Sequence, residues 1–304
     1  MAVPRVHAPS PDADVGAGFA ALLNQWREGG PGRTPIVMGV VNVTPDSFSD
    51  GGLFLDSGVA VEHGRCLAGE GAAILDIGGE STRGNATAVT AEEEVRRVLP
   101  VIGGLQAASA AISIDTMKAE VAAAAIAAGA RIVNDIRGLQ GDPELPQVAA
   151  RHGAGVIAMH NPGLLGSSKP MEGDPVAGCL VYFERSLDIA RRAGISEDRI
   201  VLDPGFGFGK SLEQNLELLH RFSELNQLGF PVLAGTSRKS FIGKVTGRES
   251  HERLIGTLVT NVAAAFAGAA IVRVHDVAEH VDAMRMAAAI RGAGKVGASA
   301  GTPA

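Results

Sequence analysis

"PIVMGVVNVTPDSFSDGG", residues 35–52, changes character at its midpoint. Its first nine residues are apolar almost without a break, as expected for a parallel strand buried on both faces. Its second half is a polar, glycine-hinged connection carrying Asp46, Ser47, Phe48, Ser49 and Asp50. Connections that carry chemistry have this composition when a rigid scaffold holds their ends. The same unit recurs along the chain. Apolar runs stand at 72–78 (AAILDIG), 111–115 (AISID), 130–135 (ARIVND), 155–160 (GVIAMH), 199–205 (RIVLDPG), 231–237 (PVLAGTS) and 269–275 (AAIVRVH). Helix-like segments lie between them. Eight strands alternating with helices over this length indicate an α/β fold, a single (β/α)8 TIM barrel; a doubly wound open sheet is the rival arrangement.

The intervening segments carry their own start and stop signals. The segment 90–105 opens with a capping box, Thr90 with Glu93 three residues on. The alanine-rich segment 116–129 ends on Gly129, a C-cap residue. Further helices are expected over 174–194, 211–229, 252–269 and 277–290, and a short one over 18–30. Residues 1–33 read as a partly disordered lead-in, 34–292 as one barrel domain and 293–304 as a disordered tail.

Composition narrows the function classes. The chain has 304 residues, 46% hydrophobic and 20% charged, and a net charge of −6, which argues against a broad nucleic-acid footprint. Cys66 and Cys179 lie far apart and suit neither a metal pair nor a disulfide framework, so a reducing, cytoplasmic setting is expected. No apolar run is long enough to span a bilayer, and the first residues lack a hydrophobic signal core.

Nearly every run ends in a residue capable of chemistry: Asn42, Asp76, Asp115, Asn134, His160, Asp203, Ser237 and His275. In this fold the active site gathers at the C-terminal strand ends. One such residue is ordinary turn chemistry; a ring of them implies a mouth lined with donors, acceptors and acids. Arg273 and His275 are two apart on one strand and share a face, which suggests an anion site. "TSRKSFIG" (236–243) and "GGESTRG" (78–84) add Ser237, Arg238, Lys239, Ser240, Thr82 and Arg83, again suited to an anion. "DPGFGFGKS" (203–211) is not a phosphate loop, because Pro204 stands where the first glycine would be needed. His63, His152 and His220 fall in helical segments without metal-ligand spacing.

Read in order, "MGVVNVTPDSFSDGG", "DIGGESTR", "SIDT", "VNDI", "LDPGFGFGK", "SRKSFIG" and "RVHDV" resemble the dihydropteroate synthases, over about residues 36–290. The resemblance implies an enzyme that joins 6-hydroxymethyl-7,8-dihydropterin diphosphate to p-aminobenzoate, giving 7,8-dihydropteroate and diphosphate in folate biosynthesis. Carried over residue by residue, it implies pterin and diphosphate contacts at Thr82, Asp115, Asn134, Asp203, Phe208, Lys239, Arg273 and His275. It implies p-aminobenzoate contacts at Phe48, Arg83 and Ser240, and Mg²⁺ at Asn42. Asp50, Lys239, Arg273 and His275 would be catalytic, with the first loop closing over the cation left when diphosphate departs. The family is a sulfonamide target and is usually homodimeric; the apolar, alanine-rich helices of 252–290 would supply an interface. One block departs from the pattern. Gly84-Asn85 stands where the family usually has Pro-Gly, which should leave the loop after Arg83 less restrained. The rival functions are a pterin-dependent methyltransferase, which would need a corrinoid partner and lack "SRKS", and a non-catalytic pterin-binding paralogue, in which Lys239, Arg273 or the first loop would be lost.

Overall fold

The computed structural model describes residues 15–43, 53–81, 88–162 and 171–293. The eight expected strands are all present: β1 Ile36–Asn42, β2 Ile74–Gly78, β3 Ala111–Asp115, β4 Ile132–Asp135, β5 Gly155–Met159, β6 Ile200–Asp203, β7 Leu233–Ala234 and β8 Ile271–Val274. They pair in parallel in the order β6-β5-β4-β3-β2-β1-β8-β7. A single parallel bridge between Leu202 and Val232, with the Leu202 N–H donating to Pro231 O at 3.0 Å, joins the two ends. The sheet is therefore a barrel and not a doubly wound open sheet.

The helices are α1 Ala17–Glu28, α2 Leu53–Gly69, α3 Ala91–Gly104, α4 Ala119–Ala128, α5 Leu145–Arg151 and α6 Pro175–Ala193. They continue with α7 Leu212–His220, α8 Ser240–Thr246, α9 Leu254–Phe266 and α10 Val277–Ala293. Of these, α2 and α5 are not among the helices expected above, although α5 opens with Pro146 in its first turn and ends with Arg151. The Thr90 signal is half of a capping box. Its Oγ1 accepts the Glu93 N–H, but the Glu93 carboxylate turns to Arg96 and Arg97. The reciprocal box forms instead at Ser211 and Gln214, opening α7.

Strand periodicity sorts the interior into two cores. Val37, Val41, Leu75, Ile77, Ile112, Ile114, Val133, Val156, Leu202 and Val272 face outward and pack under the helices. Their alternates Ile36, Met38, Ile74, Ile132, Ile157, Val201, Leu233 and Ile271 fill the barrel. Both faces being apolar explains why the sequence shows continuous runs. The inner cluster also holds Phe19, Leu23 and Trp26 of α1, which closes the N-terminal end of the barrel. Gly155 at the start of β5 leaves room for this helix: a Cβ there would lie 2.2 Å from Phe19 Cδ1.

Candidate active site

Two residues beyond the apolar layer, the inward positions turn polar. Ile74 is followed by Asp76, Ile132 by Asn134, Val201 by Asp203 and Ile271 by Arg273. Asp115 on β3 stands in register with Asn134 on β4. Asp76, Asn134 and Asp203 are buried. Arg273 crosses the barrel to two carboxylates, its Nε donating to Asp76 Oδ2 at 2.6 Å and its Nη2 to Asp115 Oδ2 at 2.8 Å. Asn134 Nδ2 donates to the same Asp76 oxygen at 2.9 Å. Asp203 Oδ1 accepts the Gly205 N–H at 2.7 Å.

Charge within this layer is finely opposed. Burial pushes the Asp115 carboxyl up to about 7; Arg273 and Lys239 oppose the rise, and Asp76 and Glu94 add to it. Burial raises Asp203 as well, against the pull of the Gly205 N–H, Lys239 and Arg273. Lys239 is brought down to about 8 by burial and by Arg273, with Asp203 and Asp115 holding it up. For Arg273, burial is outweighed by Asp76 and Asp115, and its pKa rises above the ordinary value. His275 is pushed down to about 3 by burial with Arg273 and Arg238 beside it. Its imidazole is thus neutral at pH 7, with Nδ1 2.9 Å from Ser237 Oγ. Of the Arg273–His275 pair, only Arg273 carries charge here.

The loop after β6 builds one wall. Gly205, Gly207 and Gly209 all have positive φ. At Gly205 nothing larger fits, since a Cβ would lie 2.2 Å from His160 O. The alternating turn sends Phe206 into the core against Phe222 and Phe241, and Phe208 the other way, under Lys239 Nζ at 4.1 Å. Lys210 Nζ ties the loop by donating to Gly205 O at 2.9 Å and Phe208 O at 3.1 Å. Asn215 Oδ1 accepts the Gly207 N–H at 2.7 Å. Lys239 is set by a second device. Arg238 before it is non-glycine at φ 57°, a strained state held by bonds on both sides. Its N–H donates to Thr257 Oγ1, its carbonyl accepts from Arg253, and its guanidinium pairs with Asp276.

Of the expected site residues, Asp115, Asn134, Asp203, Phe208, Lys239, Arg273 and His275 come together around this layer. Asn42 is exposed at the end of β1, and Ser240 is exposed as the first residue of α8. Phe48, Asp50, Thr82, Arg83 and the Gly84-Asn85 departure lie outside the described residues. His160 does not belong to the mouth. It sits one residue past inward-facing Met159, so period two turns it outward. There its Nδ1 is 3.3 Å from Cys179 Sγ and its ring packs edge-on to Tyr182 at 4.9 Å. Burial lowers it to about 3 and lifts the Cys179 thiol to about 12, so both are packing groups. Sequence reasoning gave no task to Lys210, Asn215 or Asp276. Lys210 stands in the rejected phosphate-loop stretch and in the block LDPGFGFGK, with no role assigned in either, and nothing local marks the other two. A groove of about 490 Å³ between the β4–α5 connection and α6, lined by Gln140, Pro143, Arg185 and Arg192, is remote from these residues.

The pterin-binding enzyme family model matches residues 38–275, which takes in every strand mouth described above. The chain belongs to the dihydropteroate synthase family. It is 46% identical over 253 residues to the dihydropteroate synthase of Synechocystis sp., covering 81% of this chain and 86% of that protein. Solved structures of Xanthomonas albilineans dihydropteroate synthase agree. The one with 4-aminobenzoic acid gives a TM-score of 0.81 at 48% identity, covering 86% of this chain and 94% of that one. The one with 7,8-dihydropteroate gives 0.78 at 45% identity, covering 86% and 95%. Membership of this family makes the chain an enzyme, and the pterin-binding resemblance read from its strand-end blocks holds.

Proposed function

We propose that the chain joins 6-hydroxymethyl-7,8-dihydropterin diphosphate to p-aminobenzoate, releasing 7,8-dihydropteroate and diphosphate, with the buried polar layer as its pterin pocket. The observation that carries this is the excess of acceptors in that layer. Asp76 Oδ1 and the Asn134 oxygen have no hydrogen-bond partner among the described residues, and the carboxylates of Asp76, Asp115 and Asp203 stand against Arg273, Lys239 and Lys210 as cations. A pterin edge offers N–H and NH₂ donors, which Asp203, Asp115 and the Asn134 oxygen accept, while Phe208 and Lys239 cover the ring. When the C–O bond to diphosphate breaks, positive charge appears on the pterin methylene. Carboxylate oxygens fixed in the buried layer stabilise it without reorganisation. The neutral amine of p-aminobenzoate then forms the C–N bond and releases one proton. Asp50 would stabilise the same cation, and Phe48, Arg83 and Ser240 would receive the p-aminobenzoate. Keeping water out protects the cation from capture.

Arg273, His275 and Thr82 take the departing diphosphate in this mechanism. Mg²⁺ would sit at Asn42. Among the described residues no group of three His, Cys, Asp or Glu side chains is placed to hold an ion. The exposed Asn42 carboxamide is a hard oxygen donor that suits an ion mostly ligated by phosphate oxygens and water. Bound there, the ion would neutralise charge on the leaving diphosphate. We also assign the chain to the cytoplasm, on its two free cysteines. The test is diphosphate release from the dihydropterin diphosphate with and without p-aminobenzoate. Release that depends on p-aminobenzoate and fails with a chelator is expected. Binding without turnover would mean a pterin-binding paralogue, and full activity without metal would remove Asn42 from the metal site.

A further inference from the structure

Asp76 contacts neither substrate in the reaction above, yet it is the hub of the polar layer. It is fully buried on β2. One of its oxygens, Oδ2, accepts from Arg273 Nε at 2.6 Å and from Asn134 Nδ2 at 2.9 Å. Neither donor lies on a strand that neighbours β2, since β3 separates it from β4 and β1 from β8. The contact is therefore made across the barrel interior and not along the ladder. A carboxylate accepts and never donates. Asn134, which is indifferent in shape to a half-turn of its carboxamide, must point its NH₂ at Asp76. Its other end, Oδ1, is buried and has no hydrogen-bond partner among the described residues. The one polar atom of Asn134 left for a ligand is an acceptor, and Asp76 is the reason.

We propose that Asp76 is a positioning residue of the pterin pocket: by fixing the Asn134 carboxamide it makes that position an acceptor, and so selects pteridines that carry an amino donor over those that carry an oxo group in its place. This rests on the dihydropteroate synthase reading. A flipped carboxamide would present NH₂ to an amino group, donor against donor, while suiting a carbonyl. Sites built to pair one polar group reject its opposite strongly. The same carboxylate holds the Nε edge of Arg273, but that contact would affect amino and oxo ligands alike. The ratio of their affinities isolates the Asn134 effect.

The experiment measures 6-hydroxymethylpterin and 6-hydroxymethyllumazine, its 2-oxo counterpart, by calorimetry on the full chain. The native protein should prefer the pterin by at least about tenfold. Asp76→Leu removes the acceptor that orients Asn134 and should bring the ratio close to one; Asp76→Asn would not serve, because Arg273 donates to the same oxygen as Asn134 and would hold a carboxamide oxygen there. The double variant Asp76→Leu with Asn134→Asp has an acceptor-only group at 134 and should restore the preference. An unchanged ratio in folded Asp76→Leu would overturn the proposal, as would a double variant no more selective than the single one. If Asp76→Leu fails to fold, Asp76→Ala is read in its place with the same two outcomes. A native protein that binds neither ligand would instead overturn the pterin pocket itself, and the role of Asp76 with it.

Discussion

At the scale of single residues, the site works by what each group cannot do. Asp203 is buried with one oxygen committed to the Gly205 N–H, so its remaining acceptor is available to a ligand donor. Asp203→Asn keeps the volume but sets an amide against a donor. The loss of a charge-assisted bond should cost about 2–4 kcal/mol of pterin affinity with the fold intact. Calorimetry showing near-native affinity would take Asp203 out of the pocket. Arg273→Ala should lower turnover of the diphosphate substrate more than binding of phosphate-free pterin, and equal losses would make it a purely structural ion pair. His160 offers a residue-level test of the outer core. Its pKa falls from an ordinary 6.5 to about 3 on folding. The unfolded chain therefore binds the extra proton between those values. The stability present above pH 6.5 is lost as pH falls toward 3. In His160→Gln the dependence of unfolding free energy on pH between 4 and 6 should be shallower by one proton, about 1.4 kcal/mol per pH unit. Identical slopes would mean the imidazole is solvated.

Among the elements, α1 and the loop after β6 do opposite work. The loop is held because Lys210 ties its carbonyls and Asn215 takes the Gly207 N–H, with three glycines in the left-handed conformation that favours glycine. It holds Phe208 and Lys239 for the site. Helix α1 supplies Phe19, Leu23 and Trp26 to the far end of the barrel, beneath the inner apolar layer. Leu23 is fully buried, so Leu23→Ala should cost about 2–5 kcal/mol, read as a drop in Tm of roughly 2–4 °C per kcal/mol. Substrate affinities at 25 °C should not move, because the polar layer lies at the other end. Lost activity with an unchanged Tm would contradict this division.

Over the whole molecule, the exposed large apolar side chains concentrate on two neighbouring helices. Ile255, Val259 and Phe266 project from α9, and Met286 and Ile290 from α10. Ile255 and Val259 are four apart, so they share one stripe. The sequence resemblance implies a homodimer with its interface on the helices of 252–290, and this stripe lies within that range. Ile255→Glu together with Val259→Glu should convert a dimer into a monomer in sedimentation velocity. A native chain that is monomeric at micromolar concentration would dismiss the interface.

The features legible in the residues alone are local and repetitive. Eight unalternating apolar runs imply strands buried on both sides, which a parallel sheet covered by helices satisfies whether it is closed or open; the bridge between Leu202 and Val232 closes it. The polar strand-end residues Asp115, Asn134 and Asp203 and the pair Arg273–His275 were legible for the same reason, since each interrupts an apolar run at a fixed place. Tertiary structure decided what these residues do to one another. Only the pairing of β1 with both β2 and β8, in a sheet curved so that these positions face inward, lets Arg273 meet Asp76 and Asp115 across 197 and 158 positions. Only the barrel's inside and outside separate His160, turned to Cys179, from its inward neighbour Met159. Period two names two faces of a strand but not which one is the interior, and hydrogen-bond partners far apart in the chain leave no mark on the residues between them.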